Sequence, residues 1–251
     1  MTTLLYTHPV CIEHDPGTHH PECPDRLRSV MEGLALDEFD PLQLIEAPII
    51  NISKIEQNHH PTYVAEILDN IPVEGRVHLD PDTSMSPFSG EATRRSAGAV
   101  CDAIDRILGR EADNAFCAVR PPGHHAESNQ AMGFCLFNSI AIGAKHARKH
   151  HGLDRVAVID FDVHHGNGTQ HSLEQESGMF YASSHQFPAY PGTGAVEECG
   201  QYNNIFNFTM LPGEGSRAFR NGYKNDILPA LRAFRPELLL VSAGFDAHER
   251  D

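Results

Sequence analysis

Basic residues are scarce in this sequence: 19 Lys and Arg stand against 34 Asp and Glu, a formal net charge of -15. Direct nucleic-acid binding through neutralised phosphates needs clustered Lys and Arg, so the balance argues against that class of partner. The six cysteines, Cys11, Cys23, Cys101, Cys117, Cys135 and Cys199, include no Cys-x-x-Cys pair. Their scatter argues against a disulfide framework and a thiolate zinc site, and fits a reduced compartment. No apolar run approaches the roughly 20 residues needed to span a bilayer. Met1 to Tyr6 lacks the basic and apolar regions of a signal peptide. Together these absences predict a soluble, cytoplasmic protein without a membrane partner. Repeats and low-complexity tracts are also missing.

What is present is a chain of 251 residues, 40% hydrophobic, with no break in composition. That predicts a single domain over residues 1–251 with one large core. Short aliphatic runs at Ala115 to Val119, Val156 to Phe161, Met179 to Ala182, Ile205 to Met210 and Leu238 to Ala243 read as buried strands. Helical periodicity appears between some of them. Leu27, Val30, Met31 and Leu34 share one face, and Ala92, Ala99, Ala103 and Ile107 share another. A helix is expected from Asn138 to His151, ending at Gly152, and one from Ser216 that bends or restarts at Pro229. The alternation predicts an α/β fold with a largely parallel sheet. Leu79 to Gly90 reads as a long surface loop.

Ligands of such sheets gather beyond the carboxyl ends of the strands, and the polar clusters fall there. The run ending in Ile159 continues into Asp160, Asp162 and His164, whose alternation would place them on one face. Carboxylates converging there need a partner, and a divalent cation suits two aspartates and an imidazole. Asp246, at the end of the run from Leu238, is the third expected ligand. Such donors suit zinc, with iron, cobalt and manganese close behind. Three protein ligands leave a coordination position for water. Taken alone, Asp-x-Asp-x-His also fits carboxylates that merely cap a turn.

Arg120-Pro121-Pro122-Gly123-His124-His125 follows another apolar run. Its prolines and glycine predict a tight exit that delivers two imidazoles able to move protons near neutral pH. Asp160 and Asn167 are available to orient them. Most of the 17 histidines have no such context. His146, His150 and His151, beside Lys145, Arg148 and Lys149, read as the solvated cationic end of a helix.

In combination the motifs resemble the histone deacetylase family, in the class II-like bacterial branch that includes acetylpolyamine amidohydrolases. The resemblance rests on His20-Pro21-Glu22-Cys23-Pro24-Asp25-Arg26-Leu27, Arg120 to Glu127, Gly133-Phe134-Cys135, Asp160 to Thr169, Tyr190-Pro191-Gly192-Thr193-Gly194 and Ser242 to His248. It covers nearly the whole chain and implies an arginase-like three-layer α/β fold. It also implies one zinc ion held by Asp162, His164 and Asp246, with His125 the principal general base and acid and His124 auxiliary. Asp160 would pair with His124 and Asn167 with His125.

Phe134 and Tyr190 resemble the walls of an acyl-lysine channel with Gly133 at its side, although both aromatics also fit an ordinary core. Asp82 resembles the rim carboxylate that holds the substrate backbone, with Asp80 close enough to compete. A potassium ion near Asp160, Asp162, His164 and Ser183 is implied as well.

The family's catalytic tyrosine, on a glycine-rich loop well after the third ligand, has no counterpart before Asp251. The expectation is therefore a domain incomplete at its C-terminus, missing its last strands and helices. Expected substrates are an acetylated lysine peptide or a small acetylated amine. Two other functions compete: a non-catalytic chain that binds metal or an acylated ligand, and a dimanganese ureohydrolase of the arginase type.

Overall fold

Leu4, Leu5 and Tyr6 are buried in β1 (Thr3–Thr7), the middle strand of a three-stranded parallel sheet. The molecule is described by a computed structural model covering residues 1–251. Its internal contacts divide it into two units, Met1–His146 and Ala147–Asp251.

In the first unit β1 is followed by α1 (Val10–Glu13) and α2 (Pro24–Leu34). Pro24 opens α2, where its missing N–H costs no helical bond. Next come β2 (Gln43–Glu46), α3 (Ile52–Ile55) and α4 (Pro61–Asp69), then the two-residue strands β3 (Val77–His78) and β4 (Ser84–Met85), which pair antiparallel. The unit continues through α5 (Ser89–Leu108) and β5 (Asn114–Cys117) into α6 (Ser139–His151), within which the division falls. The sheet order is β2-β1-β5, and both pairings are parallel.

Helix α5 buries Ala92, Ala99 and Ala103, the small-residue face expected from its periodicity. Small residues are needed: a Cβ on Gly98 would lie 1.9 Å from the Pro48 carbonyl oxygen. The Asn138 carboxamide accepts the Ala141 N–H at 3.1 Å, the N-cap bond that starts α6. Gly152, with φ +69°, stops that helix in the left-handed conformation.

The second unit holds β6 (Val156–Asp160), α7 (Asn167–Leu173), β7 (Met179–Gln186), β8 (Ile205–Met210), α8 (Ser216–Gly222), α9 (Leu228–Phe234) and β9 (Leu238–Ser242). A π-helical turn, Tyr223–Ile227, lies between α8 and α9, so the helix restarts next to Pro229 as expected. The strands form one parallel sheet in the order β8-β7-β6-β9. Every residue of β6 is buried, because it is flanked by a strand on each side. Register aligns Asp160 with Ser183 on β7 and Ser242 on β9, which brings the polar ends of β6 and β9 level with a polar residue inside β7.

Three expectations need correction. Leu79 to Gly90 is not a surface loop, since Thr83, Ser84, Met85, Ser86 and Ser89 are all buried. Their hydroxyls are satisfied internally: Ser84 donates to the Pro16 carbonyl and Ser89 Oγ accepts the Ser86 N–H. His146 is not solvated, because its ring is buried with Nε2 2.5 Å from Asp105 Oδ1 on α5. Strand β6 ends at Asp160, so Asp162 and His164 reach their positions through a bend rather than by strand alternation. No helix is long and apolar enough to cross a membrane.

Candidate metal centre and acid–base loop

In the second unit, the bend after β6 is held by its own carboxylates. Asp160 Oδ1 accepts the Asp162 N–H at 3.1 Å, and Asp162 Oδ1 accepts the His164 N–H at 2.8 Å. The Phe161 N–H continues the ladder to the Ser242 carbonyl at 3.2 Å, which ties the bend to the end of β9. Asp246 follows four residues later and accepts the Val163 N–H at 3.1 Å through Oδ1.

His164 Nδ1 lies 3.1 Å from Asp162 Oδ1 and 2.9 Å from Asp246 Oδ2. Hydrogen bonds to Asp162 and then Asp246 push the His164 imidazole up to about 10, well above its ordinary range. The three side chains offer one nitrogen and two carboxylate oxygens within 4.8 Å of one another, a donor set that suits a divalent cation. Gly244 makes the geometry possible, since a Cβ there would meet Asp162 Oδ2 at 2.0 Å.

Asp160 is fully buried and occupies a different environment. It accepts the Tyr181 hydroxyl at 3.3 Å through Oδ2. Burial and the neighbouring Asp160 charge hold Tyr181 protonated, and therefore a donor. Ser183 Oγ lies 2.8 Å from His185 Nδ1, while His185 Nε2 lies 2.9 Å from the Gly194 carbonyl. The carbonyl can only accept, so Nε2 carries the proton and Ser183 donates to Nδ1. Burial lowers His185 further, in keeping with a neutral ring.

His165 uses both nitrogens, at 2.8 Å from Thr193 Oγ1 and 2.9 Å from Gln170 Oε1. Gln170 in turn donates to Glu198, whose carboxylate accepts the Gly194 and Ala195 N–H groups. This chain of bonds anchors the segment that begins with Tyr190. The Tyr190 ring stands edge-on to His164, with centroids 6.1 Å apart, and is 41% exposed. Asn167 is buried at the start of α7, where its N–H donates to the His165 carbonyl.

In the first unit, His124 and His125 are both buried, with ring centroids 4.0 Å apart. Gly133, at φ +54°, packs flat on His125, and a Cβ would meet the ring at 2.3 Å. Phe134 is also left-handed, at φ +69°, a costly conformation for an aromatic residue. Its N–H is held by Thr83 Oγ1 at 3.0 Å, and its ring meets His20 edge-on at 4.7 Å. The structure separates Asp80 from Asp82. Asp80 Oδ1 is used by the Asp82 and Thr83 N–H groups, whereas Asp82 is raised by partial burial and its bond to Asp80.

The structure thus groups Asp162, His164 and Asp246 in one place, with Asp160, Ser183, Asn167 and Tyr190 in the same unit. His124, His125, Gly133, Phe134 and Asp82 belong to the other. Several residues around these sites carry no sequence signal that singled them out: Tyr181, His185, Gln170 and Glu198 beside the first group, and His59 beside the second. His59 Nε2 accepts the Asn138 N–H at 2.9 Å while Nδ1 donates to the Glu127 carbonyl at 2.8 Å, bracketing the segment after the histidine pair.

Comparison with known proteins bears on both units. The family model described as the histone deacetylase domain matches residues 20–251. An uncharacterized protein from Synechocystis, slr0245, is 39% identical over 100% of this chain and 83% of its own length. A histone deacetylase-like amidohydrolase from Pseudomonas aeruginosa is 36% identical over 99% of this chain and 71% of its own. Other curated relatives are longer, the chain spanning 17% of one and 63% of another. A crystal structure of the HDA15 HD domain superimposes with a TM-score of 0.95 at 33% identity, covering 100% of this chain and 74% of that one. The arginase-like α/β fold expected from the motifs is therefore the fold observed, and the chain belongs to the histone deacetylase family.

Proposed function

We propose that the chain is a zinc-dependent deacetylase that hydrolyses the amide of an acetylated amine, either acetyl-lysine in a peptide or a small acetylated amine. The observation that carries this reading is the convergence of Asp162, His164 and Asp246, whose donor atoms lie within 4.8 Å of one another. Those residues would hold one zinc ion, which when bound supplies Lewis-acid activation of the acyl carbonyl and of water.

The remaining chemistry belongs to the chain itself. His125 accepts a proton from the attacking water and returns it to the departing amine, and His124 supports the charge that passes through the pair. Burial of both rings keeps bulk water from competing for that proton. Asp160 and Asn167 complete the acid–base machinery in this reading. Phe134 and Tyr190 would flank the acyl chain, with Gly133 beside it and Asp82 holding the substrate backbone. Ser183 donates a hydrogen bond to His185, which leaves its oxygen an acceptor, and with Asp160, Asp162 and His164 it would hold a potassium ion. The names of the relatives support amide hydrolysis, and the free cysteines support a reducing, cytoplasmic setting.

Hydrolysis of a fluorogenic acetyl-lysine peptide tests the reading. Turnover should vanish with a chelator and return with zinc. Turnover that chelation leaves unchanged would contradict it.

A further inference from the structure

Glu22 lies within one of the motifs that mark the family resemblance, yet nothing in the proposed reaction uses it. In the structure Glu22 and Arg120 are 98 positions apart in sequence and form a buried ion pair. Arg120 Nε donates to Glu22 Oε1 and Nη2 to Oε2 at 2.7 Å, a fork-to-fork match. Arg120 Nη1 also donates to the carbonyls of Cys11 at 2.7 Å and His14 at 3.1 Å. His14 stands 3.6 Å from Glu22 Oε2 through Nε2, and its Nδ1 lies 2.7 Å from Ser89 Oγ on α5. Burial alone would raise the Glu22 carboxyl, but the bonds from His14 and Arg120 outweigh it and hold the group below its ordinary range.

A buried ion pair is a poor device for stability, because the desolvation of both charges offsets most of their attraction. What this pair does is fix a place. Arg120 is the first residue of the turn that ends in His124 and His125. Beyond it the turn is pinned by Ser96 Oγ on the Pro121 carbonyl, at 3.3 Å. Gly123 then packs so closely that a Cβ would meet the Phe137 carbonyl and the Ser139 nitrogen at 2.8 Å. The guanidinium is the one charged anchor in this series, and it sits at the base of the turn.

We propose that Glu22 is a positioning residue for the acid–base pair, acting through Arg120 to set where His124 and His125 stand. The inference rests on the proposed role of those histidines in proton transfer. It goes beyond that role by assigning their placement to a carboxylate that touches neither ring in the bonds described above.

The test uses the whole chain with zinc and two variants. Glu22→Leu/Arg120→Met removes both charges together, although the His14 ring and the Cys11 and His14 carbonyls lose these partners. Arg120→Lys keeps the charge but loses the fork, since an ammonium cannot hold both carboxylate oxygens and two carbonyls in one plane. Long-range proton–nitrogen NMR of the imidazoles, assigned with His124→Ala and His125→Ala, reports both rings without reference to turnover.

The proposal expects shifted His124 and His125 signals in both variants, with His59 signals and zinc content unchanged. It also expects kcat to fall about 100-fold at near-constant KM, the scale set by a misplacement of about 1 Å. Ring signals that coincide with the parent in Arg120→Lys, or in the double variant, would overturn it. Should the double variant fail to fold, Arg120→Lys decides. Should the parent chain, which has no counterpart of the family's catalytic tyrosine before Asp251, turn over too slowly to measure, the ring signals alone decide the placement.

Discussion

Gly244 lies against the Asp162 carboxylate so closely that a Cβ at this position would come within 2.0 Å of Oδ2. The absence of a side chain past the end of β9 thus sets the orientation of the Asp162 carboxylate past the end of β6. Gly244→Ala should weaken metal binding by about 10- to 100-fold, the usual cost of disturbing what supports a ligand. Competition with a chromogenic chelator measures this, and an unchanged affinity would show that Asp162 can move without penalty.

A similar contact governs the other unit. Gly133 has φ +54° and would place a Cβ 2.3 Å from the His125 ring. Gly133→Ala should therefore displace His125 and strain the backbone, lowering kcat by about 100-fold while leaving zinc content intact. Steady-state kinetics with metal analysis separates the two effects.

His59 supplies the pH dependence. Burial lowers its ring to about 4, from an ordinary value of 6.5. Its two bonds fit only the neutral form: Nε2 must accept from Asn138 and Nδ1 must donate to Glu127. Below pH 6.5 the unfolded chain takes up a proton that the folded chain refuses until about pH 4. Stability from this residue is thus full above pH 6.5 and is lost as the pH falls toward 4, by roughly 3 kcal/mol in total. Urea unfolding at pH 7 and pH 4.5 should show that loss in the parent and a smaller one in His59→Phe.

Much of this was legible in the sequence, and the exceptions share a cause. Ile205 to Met210 was bounded correctly, and the runs from Val156 and Leu238 to within one residue, because aliphatic residues between parallel neighbours leave a continuous apolar signal. The Met179 run was expected to stop at Ala182, yet β7 continues through Ser183, Ser184 and His185 to Gln186. Ser183, Ser184 and His185 are buried because they find partners in one another, in Tyr223 and in the Gly194 carbonyl, pairings that no local pattern reveals. The same holds for Thr83, Ser84, Ser86 and Ser89, whose local sequence reads as a surface loop, and for His146, whose partner Asp105 is 41 positions away. Strands β1 and β2 gave too little: β2 is an edge strand with mostly exposed residues.

Short motifs that concentrate chemistry are what a sequence shows most directly. Asp162, His164 and Asp246 do come together, although Asp162 and His164 lie past the end of β6. What escaped was the support around them. Glu22 holding Arg120, and Gln170 linking His165 to Glu198, are relations between distant segments. Single residues in a sequence carry no mark of such partners.

Metal stoichiometry tests the central claim most directly. The chain, saturated with zinc and passed through a desalting column, should retain one zinc per chain by elemental mass spectrometry, and Asp162→Asn/Asp246→Asn should retain almost none at an unchanged fold by circular dichroism. Equal zinc in the parent and the double variant would contradict the assignment of Asp162, His164 and Asp246 as the metal ligands.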